Sequence, residues 1–386
     1  MSAAHALAPP VAAGPYRSPI SGRRLVADTP HSLAAGGERW PVVDGIPFLR
    51  VNRGELARSV LARLDTGDGQ GALALLLGDQ DDWARMPPPP LAARLELVRD
   101  ADRLTFRAAM ERLAFGPVAT YFAHRWSDPT FLSGLASAEA HWTAPSRIFE
   151  LACGAGHFLR EFARVCPDVA GGDVVFAKLW LARRFVAPAA RLLCFDAAAP
   201  WPLDDAAADL VFCHDAFYFL PEKPRVAAEM RRVSQGPVLV GHAHNRLVDN
   251  FSSGSPLAPS EYAALFEATL LYDDAELTRA LVEARAPVPA SAEALAEAPA
   301  ISLACGAERP HAVAAGLAMP AQGAELRRNP LYCDGAVEWP SERYRLEYGG
   351  LATYPLYAEA PERAIAGPET EALARRRVLL DLPARW

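Results

Sequence analysis

Lysine is almost missing from this 386-residue chain: Lys178 and Lys223 are the only two, and arginine supplies the remainder of the 39 basic residues. Acidic residues number 46 and the net charge is −7. No basic stripe or basic domain is present, which argues against nucleic acid as a partner. The six cysteines (Cys153, Cys166, Cys194, Cys213, Cys305 and Cys333) include no C-x-x-C pair. Zinc is therefore not suggested and no metal site is expected. Several of these thiols lie in apolar runs, where cysteine behaves as a small hydrophobe, and a reducing, cytoplasmic compartment is the simplest reading. The N-terminus lacks the basic start and apolar core of a signal peptide. No apolar run is long enough to span a bilayer, so a soluble protein without a membrane partner is expected.

What is present in quantity is alanine, arginine and 34 prolines, a compositional bias that makes any single arginine a weak functional clue. Half of the chain is apolar, at 51%, so wholesale disorder is not expected. The length allows a large core and more than one folded unit.

The most informative stretch is RIFELACGAGHFLR, residues 147–160. An apolar run leads through Glu150 into Gly154-Ala155-Gly156. Phe158, Leu159, Phe162 and Val165 then follow at a spacing that places them on one helix face. The pattern reads as strand, glycine turn and helix, the opening unit of a Rossmann-like α/β domain. An ordinary tight βα turn would produce a similar local pattern. The dinucleotide fingerprint G-x-G-x-x-G fits at Gly154 and Gly156 but meets Leu159 at its third glycine. Glu150 would also carry negative charge toward a pyrophosphate, so a nicotinamide-dependent oxidoreductase is the weaker alternative.

Glu150, Gly154 and Gly156 resemble the first motif of class I S-adenosylmethionine (SAM) methyltransferases, acid-x-Gly-x-Gly-x-Gly, with Ala152 in place of the first glycine. The resemblance extends through residues 147–244 (a type 11-like core). Asp173 ends a second strand, 23 residues beyond Glu150, where an acid accepts from ribose hydroxyls. Asp196-Ala197 ends a third strand, at the place where the family commonly meets the adenine amino group. Trp201-Pro202-Leu203-Asp204-Asp205 and Ala208–Asp215 are similar to the family's "LPFxDxxFDxV" passage, and Glu229–Val233 to its "E-M-x-R-V" stretch. The resemblance implies an α/β fold: a Rossmann-like class I methyltransferase sheet flanked by helices. It implies SAM as cofactor, bound by Glu150, Ala152, Gly154, Gly156, Asp173, Asp196, Ala197 and His214.

The expected organisation is a disordered tail over 1–15, a small β-unit over 16–52 and a helical lid or linker region over 53–145. The SAM-binding domain is expected over 146–310, and an aromatic-rich α+β C-terminal extension over 311–386. The β-unit resembles the zinc-ribbon module found before, or bound to, some methyltransferases, which ends in a "YPVxxGIPxL" stretch. Here Ser18 and Ser21 stand where its C-P-x-C knuckle has cysteines, so no metal is implied. Tyr121, Phe122, His124 and Trp126 are candidates to line a lid or to pack helices. Tyr332, Trp339, Tyr344, Tyr348, Tyr354 and Tyr357 could wall a pocket, anchor the tail, or form a homodimer contact.

Open α/β sheets bind ligands beyond the carboxyl ends of their strands. Candidate catalytic bases there are His214, closing the fourth strand, and His244, closing the fifth. Asp215, Tyr218 and His242 are candidates to bind the acceptor. The expected activity is transfer of a methyl group to an oxygen or nitrogen of a small molecule. The alternatives are a non-catalytic SAM- or S-adenosylhomocysteine-binding interaction subunit, or a methyltransferase acting on RNA or protein.

Overall fold

The computed structural model describes residues 16–84, 86–250, 254–267, 270–313 and 316–386; the expected tail over 1–15 lies outside them. The chain opens with four short strands, β1 (Val26–Thr29), β2 (Ser32–Ala35), β3 (Glu38–Val43) and β4 (Ile46–Pro47), in one antiparallel sheet. Asp44 and Gly45 turn β3 into β4 with φ of 52° and 74°. That is the pair of positive angles a two-residue hairpin demands. Ser18, where the zinc-ribbon resemblance would place a cysteine, accepts from the Ile20 and Ser21 amides and donates to Glu38. Beyond β4, Leu49 N donates to Cys194 O at 2.7 Å. This small sheet therefore hydrogen-bonds to the edge of the main one.

Six helices follow: α1 (Gly54–Asp65), α2 (Gly69–Leu76), α3 (Leu91–Asp100), α4 (Phe106–Arg112), α5 (Pro117–His124) and α6 (Pro129–Ala140). Helix α6 starts where Asp128 caps the Thr130 amide and Pro129 occupies the first turn, a position that tolerates a missing N–H. Nearly every residue of α6 is buried, so it forms part of the interior.

The central sheet is built from β5 (Arg147–Leu151), β6 (Asp168–Asp173), β7 (Arg191–Cys194), β8 (Leu210–His214), β9 (Val238–His244), β10 (Leu270–Asp273) and β11 (Ala300–Cys305). Its order is β10-β11-β9-β8-β5-β6-β7. β5 to β9 run parallel and β11 is antiparallel to both its neighbours. The helices between these strands are α7 (His157–Phe162), α8 (Phe176–Leu181), α9 (Lys223–Val233), α10 (Pro259–Phe266) and α11 (Asp274–Glu283). In α9 the buried residues Val226, Ala227, Met230 and Val233 repeat at helical spacing, and that stripe seals one face of the sheet. Gly172 in β6 lies so close to Phe195 that a Cβ would stand 2.3 Å from the ring. Winding reverses at β5, with β6 on one side and β8 on the other. This is the crevice where open sheets of this kind take ligands.

The sequence-based expectation of a Rossmann-like sheet flanked by helices is met. One detail differs. Val165 lies beyond the end of α7 and is exposed, because the helix stops at Phe162. Between α10 and α11, β10 pairs with β11. In the C-terminal part, β12 (Glu325–Arg328) pairs with β15 (Arg363–Ile365) and β16 (Leu379–Leu380), and β13 (Tyr332–Cys333) pairs with β14 (Ala336–Val337). Helix α12 (Glu342–Tyr348) joins Leu331, Tyr332, Tyr354 and Val378 in a separate small core. The dense aromatics thus largely pack on one another. The last residues return to the helical layer, where Trp386 Nε1 donates to Ala123 O at 2.9 Å and Arg385 Nε to Leu104 O at 3.0 Å.

Candidate functional site

The turn after β5 combines backbone strain with a buried carboxyl group. Glu150 is buried and its Oε2 has no hydrogen-bond partner. Burial pushes its carboxyl well above the ordinary range, with the Arg125 charge opposing. Ala152 has φ of +53°, a left-handed conformation that costs a residue with a Cβ about 1–2 kcal/mol. Gly154 and Gly156 follow at φ of 54° and 83°, and Gly156 caps α7. Phe122 from α5 covers the turn: a Cβ on Gly154 would lie 3.2 Å from its ring.

Asp173 closes β6 beside this turn. Its carboxylate accepts from Gly154 N at 3.0 Å and Val175 N at 2.9 Å. Lys178 Nζ stands 4.0 Å away and 3.6 Å from Asp81. One strand further on, Asp196 accepts from Ala198 N at 2.9 Å, and Ala197 O from Trp201 Nε1 at 3.0 Å.

The ends of β8 and β9 hold a second group of polar side chains. Asp215, at φ of +55°, accepts from Tyr121 Oη at 2.6 Å on Oδ2 and from Tyr218 Oη at 2.8 Å on Oδ1. Arg125 Nη1 lies 3.0 Å from Asp128 and 3.6 Å from Asp215, and also donates to Thr130. Burial raises the Asp215 carboxyl, but His242 and Arg125 outweigh it and hold it near 2.

His242 sits within β9 at φ of +47°, beside a shift in register against β11. Its Nδ1 is 2.7 Å from Asp274 Oδ2. Asp274 also accepts from Ser133 Oγ and Ser302 Oγ, each at 2.7 Å. Burial works against a charged His242 ring, but Asp215 and Asp274 prevail and raise it to about 9. His244 Nε2 faces His242 Nε2 at 3.3 Å, and its Nδ1 faces Asn250 Oδ1 at 3.1 Å. Tyr218 stacks on His244 with centroids 4.2 Å apart. Burial and the neighbouring His242 charge lower His244 to about 4.

His214 is different in kind. Both of its ring nitrogens are buried without a partner. Phe158 and Phe212 pack against the ring, and burial lowers it to about 3. A histidine that stays neutral down to that pH is a poor base near neutrality. The ring best suited to hold a proton is His242, which sequence reasoning placed on the acceptor.

The structure gathers Glu150, Ala152, Gly154, Gly156 and Asp173 at the ends of β5 and β6, with Asp196 and Ala197 beyond β7. It gathers His214, Asp215, Tyr218, His242 and His244 at the ends of β8 and β9. Sequence reasoning missed Arg125 and Asp274 and left Tyr121 between two roles. Arg125 was hidden by the abundance of arginine. Asp274 follows strand β10, and no local pattern ties it to His242.

Residues 149–237 match the model of a methyltransferase domain family. Comparison with curated proteins finds no match. Among solved structures, the chain is similar to one from the complex between the Haloferax volcanii Trm112 methyltransferase activator and a methyltransferase. The identity is 15%, over 49% of this chain and 92% of that one, with a TM-score of 0.38. It is also similar to a SAM-dependent methyltransferase from Thermotoga maritima, at 14% identity over 53% and 98% of the two chains and a TM-score of 0.35. A third is SAM-bound CalS10, an amino pentose methyltransferase from Micromonospora echinaspora, at 27% identity over 32% and 55% with a TM-score of 0.27.

Proposed function

We propose that this chain, whose residues 149–237 match a methyltransferase domain family, uses S-adenosylmethionine and transfers its methyl group to an oxygen or nitrogen of a small molecule. The acceptor would bind beyond the ends of β8 and β9. The observation that carries this reading is the pairing of an unsatisfied, buried Glu150 Oε2 on β5 with an enclosed polar cluster at the ends of β8, its neighbour, and β9. A buried carboxylate oxygen without a partner is costly unless a ligand supplies one.

The residues present fit the cofactor. Glu150 Oε2 would accept from its ammonium group, which would also draw that carboxyl to its charged form. Asp173 already holds Gly154 N and Val175 N, and its remaining lone pairs suit ribose hydroxyls. Gly154 and Gly156 supply the left-handed backbone angles that the turn requires, which residues with a Cβ adopt only at a cost. Asp196 would meet the adenine amino group. The cofactor supplies a methyl carbon on a positive sulfonium, open to in-line displacement.

The protein's remaining task is alignment, which can supply roughly 7–11 kcal/mol. Tyr121 and Tyr218 fix the Asp215 carboxylate from two sides, and Asp274 fixes the His242 ring. These groups are buried or nearly so, which suits a small acceptor better than a macromolecular one.

The test is calorimetric titration with S-adenosylhomocysteine, with NAD as control. Micromolar binding of the first alone is expected, and turnover of labelled cofactor with an acceptor library follows from it. Binding of NAD alone would overturn the reading. Binding of S-adenosylhomocysteine without turnover across the library would favour a non-catalytic binding subunit.

A further inference from the structure

The donor atoms of Asp215, His242 and His244 all lie within 4.8 Å of one another. They come from two adjacent strand ends. Each histidine is pinned through its other nitrogen, His242 Nδ1 on Asp274 and His244 Nδ1 on Asn250. Because both Nδ1 atoms face oxygen acceptors, both carry hydrogen, and the two Nε2 atoms face each other across 3.3 Å. That contact needs a shared proton, which the charged His242 supplies, or a cation in the proton's place.

The separation suits a metal: imidazole nitrogens about 2.0–2.1 Å from a tetrahedral zinc stand roughly 3.3 Å apart. Asp215 Oδ1 is 4.0 Å from His242 Nε2, so a modest side-chain shift completes a three-ligand face. Charge points the same way. Asp128, Asp215 and Asp274 are all buried or nearly so, with the Arg125 guanidinium beside Asp128 and Asp215 and the His242 ring beside Asp215 and Asp274. Once a metal displaces the His242 proton, three carboxylates against one guanidinium leave two negative charges, which a dication would balance. Buried charge must be compensated in this way. The Asp274–His242 contact is also the outer hydrogen bond that metal-binding histidines ordinarily carry.

We infer that Asp215, His242 and His244 bind a first-row transition dication of the zinc or iron(II) class, the ions that two imidazoles and a carboxylate favour. Open coordination positions would face the acceptor. The ion's role, unlike its binding, rests on the methyl-transfer reading. An acceptor hydroxyl on the ion loses its proton to water. Its oxygen takes the methyl carbon, and the electron pair of the broken C–S bond stays on sulfur, leaving a neutral thioether. The substrate class is therefore an oxygen acceptor able to ligate a metal, such as a vicinal diol or a hydroxy acid.

The experiment uses full-length protein stripped with a chelator and titrated with cobalt(II), followed by its visible d–d absorption and by calorimetry. The expected result is one ion per chain, with the spectrum of nitrogen and oxygen ligands and no thiolate charge-transfer band. His244→Gln and Asp215→Asn should each weaken binding at least tenfold, and Asp274→Asn by about 10–100-fold. Circular dichroism and S-adenosylhomocysteine titration report the fold and the cofactor side separately for every variant. No stoichiometric site, a thiolate spectrum, or unchanged affinity in both well-folded His244→Gln and Asp215→Asn would overturn the inference. Metal binding without S-adenosylhomocysteine binding would retain the ion and remove its role in methyl transfer.

Discussion

His242 Nδ1 lies 2.7 Å from Asp274 Oδ2, tying the end of β9 to the first residue of α11. Ser133 from α6 and Ser302 from β11 donate to the same carboxylate. Four elements therefore meet at one buried group. Replacing Asp274 with Leu leaves the His242 cation and two hydroxyls without their acceptor. Breaking a buried pair in this way costs about 3–5 kcal/mol. Urea denaturation should show that loss, and a smaller one for Asp274→Asn, which keeps one acceptor oxygen. A change below about 1 kcal/mol in Asp274→Leu would mean that the group is not a structural hub.

Ala152 occupies a left-handed conformation in the turn between β5 and α7. Relief of roughly 1–2 kcal/mol of strain is offset by glycine's extra chain entropy of about 0.5–1 kcal/mol. Ala152→Gly should therefore be neutral to about 1.5 kcal/mol more stable, read as a higher thermal midpoint. A clear loss of stability would show that the Ala152 methyl packs more favourably than its backbone is strained.

Asp173 has two jobs that one substitution can separate. Asp173→Ala should weaken S-adenosylhomocysteine binding by about 1.5–3 kcal/mol, the scale for hydrogen bonds to a charged group. It should also destabilise the fold, because Gly154 N and Val175 N lose their acceptor. Asp173→Asn keeps an acceptor oxygen and should recover stability more fully than affinity. Unchanged affinity in Asp173→Ala, measured by calorimetry, would remove the residue from the cofactor site.

His157 is buried against Phe122 O, 2.9 Å from its Nε2. Burial lowers its pKa to about 3. The unfolded chain therefore binds a proton that the folded chain refuses. The resulting stability is complete above the unfolded value of about 6.5 and is lost as pH falls from there toward about 3. By pH 5 the loss amounts to about 2 kcal/mol. His157→Gln should flatten the stability–pH curve by that amount over this window in urea melts at a series of pH values. Parallel curves for the two proteins would contradict the assignment.

Local chemistry made much of this protein legible. Apolar runs ending at Glu150, Asp173 and Cys194 fall on parallel strands, and Gly154 and Gly156 take the positive φ that only a turn requires. These signals are readable because strand pairing and tight turns depend on residues a few positions apart. Histidines at 214, 242 and 244 could be placed at strand ends for the same reason, but their environments could not. His214 is neutral because Phe158, Phe212 and two glycines exclude water and hydrogen-bond partners from its ring.

The sequence by itself determined the parallel sheet, its order of glycine turn and acids, and the methyltransferase resemblance of residues 147–244. Only the tertiary structure decided which histidine carries charge and which side chains surround it. Arg125, Asp215, His242 and Asp274 come from four separate stretches, and a charge–charge energy depends on distance through space and on exclusion of water. Neither quantity is written in the spacing of residues along the chain.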